Sequence, residues 1–193
     1  MEILPIFAKD PKIFDGLYTI KFEDQEQDEF ERIMDLWNDT HYLTNFCLLN
    51  FDSQLLKFFK IAHVDEFVER IENEAYDLED LLQEYALGGS SSYGTNLNLQ
   101  MLFRPLNNGN YKITELELSK LKLEKKRPLL RIYAIRLGEN AYVITGGAIK
   151  LTQTMDEHIE TKEELEKINT IKQHLYNQGI KTNDDFITYY YGK

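Results

Sequence analysis

The residues best suited to chemistry are eight cations gathered between positions 120 and 150: Lys120, Lys122, Lys125, Lys126, Arg127, Arg131, Arg136 and Lys150. Side chains on a strand alternate with period two, so Arg131 and Tyr133 share one face of the segment around them. Leu130, Ile132 and Ala134 take the opposite, apolar face, and Arg136 has their parity. Lys150 ends the following strand and can approach the same surface as Arg131. Such a surface suits a phosphodiester: Arg and Lys offset phosphate charge, and Tyr can stack on a base. The same cations also read as plain charge decoration across neighbouring strands.

Other chemistries find less support. The histidines, His41, His63, His158 and His174, are scattered and lack metal-ligand spacing. Cys47 falls on a predicted helix face, which reads as a packing cysteine. As the single cysteine it excludes a disulfide framework and any zinc site built on paired cysteines. The many carboxylates come without a Gly-bearing calcium loop, so they read as solvated faces. Gly88-Gly89-Ser90-Ser91-Ser92-Tyr93-Gly94 is not followed by GKS or GKT and reads as a flexible connection. Neither metal nor cofactor is expected.

The elements that must position these residues follow from periodicity. Leu17–Phe22 reads as a short strand after Asp15-Gly16. Phe30, Ile33, Met34 and Trp37 share one helical face. Asp39 and Thr40 can cap a second helix bearing Leu43, Phe46 and Cys47, and residues 52–62 suggest a third. A long helix is predicted from about Val64 to Ala86, striped by Phe67, Ile71, Ala75, Leu78, Leu82 and Tyr85, with an acidic opposite face. Downstream, Leu97, Leu99, Met101 and Phe103 alternate until Arg104-Pro105-Leu106 breaks the run. Asn107–Asn110 is turn chemistry, Tyr111–Leu118 alternates in part, and residues 120–127 form a Lys-rich connection. Leu129–Leu137 and Ala141–Ile149 form a β-hairpin across Gly138-Glu139-Asn140. Thr161-Lys162-Glu163-Glu164 reads as a capping box that opens a helix to about Asn177, stopped by Gly179. The tail ends in Tyr189-Tyr190-Tyr191, a docked segment.

Composition bounds the rest. A chain of 193 residues with 42% hydrophobic and 28% charged residues has the material for one folded domain. No apolar run is long enough to span a bilayer and the N-terminus does not read as a secretory signal, so the expected setting is the cytoplasm. The net charge of -11 argues against generic nucleic-acid binding, yet it is unevenly spread. Residues 1–96 carry net -14, residues 97–155 carry net +6 and residues 156–193 carry net -3. An acidic half precedes a basic centre. The acidic helices could lie beside the basic surface and screen it, or hold a separate basic partner.

The order of elements, with Leu102-Phe103-Arg104-Pro105-Leu106, then "ITELELSK" and "LLRIYAIRLGENAYVITGGAIKLTQTM" before a closing helix, resembles the RelE/HigB superfamily of bacterial toxins. The resemblance covers roughly residues 97–178, with Leu17–Phe22 as an edge strand. It implies an α+β fold with a small antiparallel sheet and a RelE-like core. Residues 26–87 would be an enlarged acidic helical insertion, residues 88–96 a flexible connection and residues 179–193 a tail. It implies a toxin-like component of a type II toxin–antitoxin system, cleaving ribosome-bound messenger RNA without a metal. Its partner would be an antitoxin, such as a helix-turn-helix protein. Arg131 then matches the strand arginine at the scissile phosphate, and Lys150 the basic residue after the last core strand. Tyr133 matches the aromatic position, for stacking or as general base. Lys125, Lys126 and Arg127 match a basic loop and, with Arg136, would contact RNA. The alternative is a non-enzymatic interaction module on the same scaffold, whose acidic helices hold a basic partner.

Overall fold

A computed structural model describes residues 1–8, 16–88, 97–106, 116–138, 140–151 and 159–192. Six strands form one sheet: β1 (Glu2–Ala8), β2 (Gly16–Lys21), β3 (Arg104–Pro105), β4 (Glu117–Leu121), β5 (Leu130–Arg136) and β6 (Ala141–Ile149), in the order β1-β2-β6-β5-β4-β3. Four helices lie between β2 and β3: α1 (Glu29–Asn38), α2 (Thr40–Asn50), α3 (Ser53–Phe59) and α4 (Val64–Ala86). Two more, α5 (Ile159–Asn177) and α6 (Asn183–Tyr191), close the chain. The fold is α+β, as the sequence implies.

Both faces of the sheet are covered. On one, Leu17, Leu130, Ile132, Ala134, Tyr142, Ile144 and Ile149 join a core with Trp37 of α1, Phe46 of α2, Phe59 of α3 and Phe67 of α4. On the other, Tyr18, Ile20, Tyr133, Ile135, Val143 and Ala148 pack with Ile168, Ile171 and Leu175 of α5 and Phe186 of α6. Residues of both signs of parity are therefore buried, which is why β5 and β6 read as nearly continuous apolar runs. The acidic helical segment is not an appendage: its apolar stripe is half of one core.

The hairpin of β5 and β6 is central, as expected, and Leu130, Ile132, Ala134 and Val143 are fully buried, with Phe22 half-buried. The sheet around it differs from the expectation of a small antiparallel one. β2 pairs parallel with β6, Leu17 against Tyr142 and Thr19 against Ile144. The expected edge strand is thus interior, because β1 covers its outer side in antiparallel register. Pro5 in β1 suits that outer position, where no ladder donor is required.

Three local readings also change. Residues 99–101 form a 3-10 turn, and Arg104-Pro105, read as a break, is the short strand β3. Thr161 lies inside α5, which begins two residues earlier, while the capping box sits at Thr182 and Asp185 and opens α6. α6 is the docked tail, with Phe186 and Tyr190 against Tyr18. The turn at 107–110, the alternation over 111–115, and residues 89–96 of the expected connection lie outside the described residues. Among the described residues, no helix is long and apolar enough to cross a membrane.

Candidate functional site

The basic centre divides into two environments. Lys125, Lys126 and Arg127 sit on the loop between β4 and β5, which lies against α3 and α4. Lys125 pairs with Asp77, and Arg127 donates to the carbonyl of Phe58 while its guanidinium stacks over that ring, 4.6 Å from the centroid. Arg70 reaches from α4 to the carbonyls of Phe59 and Arg127. Glu74, 3% exposed, accepts from the amides of Leu129 and Leu130 at 2.8 and 3.0 Å. A buried carboxylate on two backbone donors and an arginine fixes where β5 begins. Lys126 stays exposed beside an open cleft lined by Glu66, Glu69, Asn73 and Glu74.

Arg131 faces the other way. Its parity is that of Tyr133 and of Ala148, its partner across the ladder, so it projects on the face where α5 packs. Arg131 and the 125–127 loop therefore do not share a face; the loop cations are held on the α3–α4 side. Arg136 is a further correction. It is 9% exposed, donates to the carbonyl of Gly138 and pairs with Glu117 across the ladder at 3.8 Å, so its charge is spent inside the fold.

Arg131 is half-buried and donates to the carbonyls of Pro128 and Leu130. Lys120 of β4 lies directly across from Tyr133 and donates to the carbonyl of Leu106 at 3.1 Å. Neither cation makes an ion pair among the described residues. Burial, and then the charges of Arg131 and Lys122, push the Lys120 ammonium below its ordinary pKa; burial does the same to Arg131. Two half-buried cations therefore stand side by side without an ion pair among the described residues, Arg131 also feeling the charge of Glu74. Lys150 has the same parity, and its amide donates to the carbonyl of Leu129.

Tyr133 is 1% exposed, so the expected stacking role is unavailable: no base can reach its ring in this conformation. Burial drives its phenol well above the ordinary tyrosine pKa, which also removes the general-base role near neutral pH. Its hydroxyl has no hydrogen-bond partner among the described residues.

Beyond Tyr133, sequence reasoning missed a group of charges. Gly146 pairs with Tyr133 at a bulge in the β5–β6 ladder and has φ +148°. A side chain there would collide with Glu164 Oε2 and Lys167 Nζ of α5. Lys167 donates to Glu164 and to Glu29 of α1, both at 2.6 Å. Arg32 forks onto Glu29, at 3.2 and 2.8 Å, and lies 3.6 Å from Glu164. Glu29 is itself positioned by the start of α1, where Asp28 caps the Phe30 amide and takes a hydrogen bond from Thr19 of β2. The signal in the sequence was Gly146-Gly147 in the middle of an apolar strand, which marks a bulge or a close approach. Glu29 and Glu164 carried none, since each falls on a helix whose neighbours are solvated acids.

No protein-family model, curated protein or solved structure matches this chain. Its own geometry carries the functional reading.

Proposed function

We propose that this chain is a toxin-like component of a toxin–antitoxin system, acting in the cytoplasm, and that it grips an RNA phosphate with Arg131 and Lys120. One observation carries the reading. Among the described residues, two neighbouring half-buried cations make no ion pair, Arg131 feeling only the more distant charge of Glu74. Bringing like charges together in a partly desolvated place is unfavourable unless an anion completes it. A phosphodiester supplies that charge with oxygens suited to an arginine fork.

The chemistry implied is metal-free. The ribose 2'-hydroxyl gives its proton to water and attacks the adjacent phosphorus; the bond to the 5'-oxygen breaks, that oxygen takes a proton from water, and a 2',3'-cyclic phosphate and a 5'-hydroxyl remain. Arg131 and Lys120 would stabilise the charge that builds on the phosphoryl oxygens, with Lys150 on the same face. Tyr133, buried and held protonated, would not be the base. The antitoxin would cover this face and silence it.

The second reading is a non-enzymatic interaction module. It is favoured by α4, which already holds one basic segment of its own chain and leaves Asp65, Glu69, Glu79, Asp80 and Glu84 turned to solvent. Inducing the chain alone separates the two. Growth arrest with cut ribosome-bound message, relieved by Arg131→Ala and unchanged by Cys47→Ala, supports the RNA reading. Harmless expression of a folded chain that binds no RNA supports the interaction module.

A further inference from the structure

Among the helices of the described residues, α2 alone holds no Asp, Glu, Lys or Arg, in a chain whose residues are 28% charged. Its inner face is fully used: Leu43, Phe46 and Cys47 are buried in the core with Phe67 of α4. Its outer face presents His41, Asn45, Leu48 and Leu49, which fall together at i, i+4, i+7 and i+8. Leu48 is 66% exposed and Leu49 84%, the highest of any large apolar side chain among the described residues. A helix that is apolar on both faces is normally covered on both. Among the described residues nothing covers the outer one.

Charge says what covers it. Each copy of the chain carries net -11, so two copies repel wherever their acidic surfaces face each other. The outer face of α2 lets a second copy approach without that opposition, and the centres of protein interfaces are depleted of charge in the same way. The surroundings of its two ends are opposite in sign. At the amino end stand the exposed Asp35 and Asp39, with Glu72 of α4 accepting from the Thr40 hydroxyl at 3.2 Å. Beyond the carboxyl end, α3 and its cap turn Lys57 and Lys60 to solvent, neither in an ion pair among the described residues. Asp52 there is committed to the amides of Gln54 and Leu55. A two-fold axis across α2 near Leu48 lays the helix antiparallel on its copy. The acidic end of each then meets the basic end of the other, and one patch serves both sides.

We propose that this protein forms a two-fold homodimer through the outer face of α2, with Leu48 and Leu49 at its centre and Lys57 of each copy opposite Glu72 of the other. α2 lies on the opposite side of the sheet from Arg131, so the contact leaves that face open and does not rest on the RNA reading. An interface built on one short helix and parts of α3 is at the small end of specific contacts, so its Kd should be about 10 µM.

The test is sedimentation velocity of the full-length protein at concentrations up to about 1 mM, with circular dichroism to confirm that each variant is folded. The parent should show a reversible monomer–dimer equilibrium. Leu48→Glu with Leu49→Glu changes two exposed side chains, leaves the core intact and places like charges at the axis, so it should weaken the dimer at least about tenfold. Lys57→Glu and Glu72→Lys each set like charges opposite one another and should each weaken it about fivefold. An equimolar mixture of those two variants should regain the parent affinity as a heterodimer, because both contacts are again of opposite sign. Relief of net acidity alone would instead make Glu72→Lys associate more tightly. Four results would overturn the proposal: a parent that is monomeric at about 1 mM, which leaves the face to a different partner; a leucine variant that dimerises like the parent; Glu72→Lys associating as well as the parent; or a mixture no tighter than its components.

Discussion

The 125–127 loop and the β4–β5 face one turn of chain away are equally basic in sequence and opposite in circumstance. At the loop every fixed cation has an answer: Asp77 for Lys125, the ring and carbonyl of Phe58 for Arg127, and Glu74 behind both, anchoring the amides of Leu129 and Leu130. On the face, Lys120 and Arg131 donate to backbone carbonyls and make no ion pair among the described residues, although the charge of Glu74 reaches Arg131. A run of positive residues is thus no site in itself. What distinguishes a site is charge that the fold brings together and leaves without an ion pair.

The contrast is easiest to break at Glu74. Glu74→Ala removes the acceptor from two buried amides and strips Arg70 of its carboxylate. It should cost about 3–5 kcal/mol in urea unfolding, as losing one member of a buried charged network does. A cost below about 1 kcal/mol would mean that the loop is not anchored there. Arg131→Ala has a smaller effect of a different kind. RNA affinity should fall by about 1.5–3 kcal/mol, the worth of a charge-assisted contact, with unfolding nearly unchanged. Equal loss of affinity in Arg127→Ala would erase the distinction between the two regions.

Much of this was legible in advance, and unevenly. The stripe from Phe67 to Tyr85 gave α4 almost to the residue, because an amphipathic helix repeats its signal over several turns. The β5–β6 hairpin was legible from its turn and alternation. β1 was not, since Glu2–Ala8 holds a proline and pairs only with β2. Nor was the parallel pairing of β2 with β6, which joins residues more than a hundred positions apart and leaves no local mark. Site residues followed the same rule. The common face of Arg131 and Tyr133 is a matter of strand parity and was readable, whereas the burial of Tyr133 depends on α5 and α6 packing above it. Glu29 and Glu164 were hidden because a buried acid and a solvated one look alike until their neighbours are known.

Glu164 gives a pH signature of the charged group beside Gly146. Burial, reinforced by nearby Glu29, raises its pKa above the ordinary 4.5. The native state therefore holds this proton more tightly than the unfolded chain, and stability contributed at low pH is lost as pH rises above about that value. Glu164→Gln removes that loss, so the variant's stability relative to the parent should climb from pH 4.5 upward in urea melts across pH. A constant difference would mean that Glu164 titrates as it does in water. The smallest effect belongs to the surface: Lys125→Ala breaks an exposed pair with Asp77 and should cost under about 1 kcal/mol, less at high salt. It should leave RNA binding unchanged.

The Arg131–Lys120 pair is tested most directly by the salt dependence of binding to a short single-stranded RNA, measured by fluorescence anisotropy for the parent chain and for the double variant Lys120→Ala, Arg131→Ala. Each phosphate contact on a single strand contributes about 0.7 to the slope of log affinity against log salt. Losing both should therefore shallow the slope by roughly 1.4 and weaken binding at low salt, while the Lys125→Ala, Lys126→Ala chain keeps the parent slope. The contradicting result is a double variant with the parent's slope, or a parent chain that binds no RNA at low salt at all.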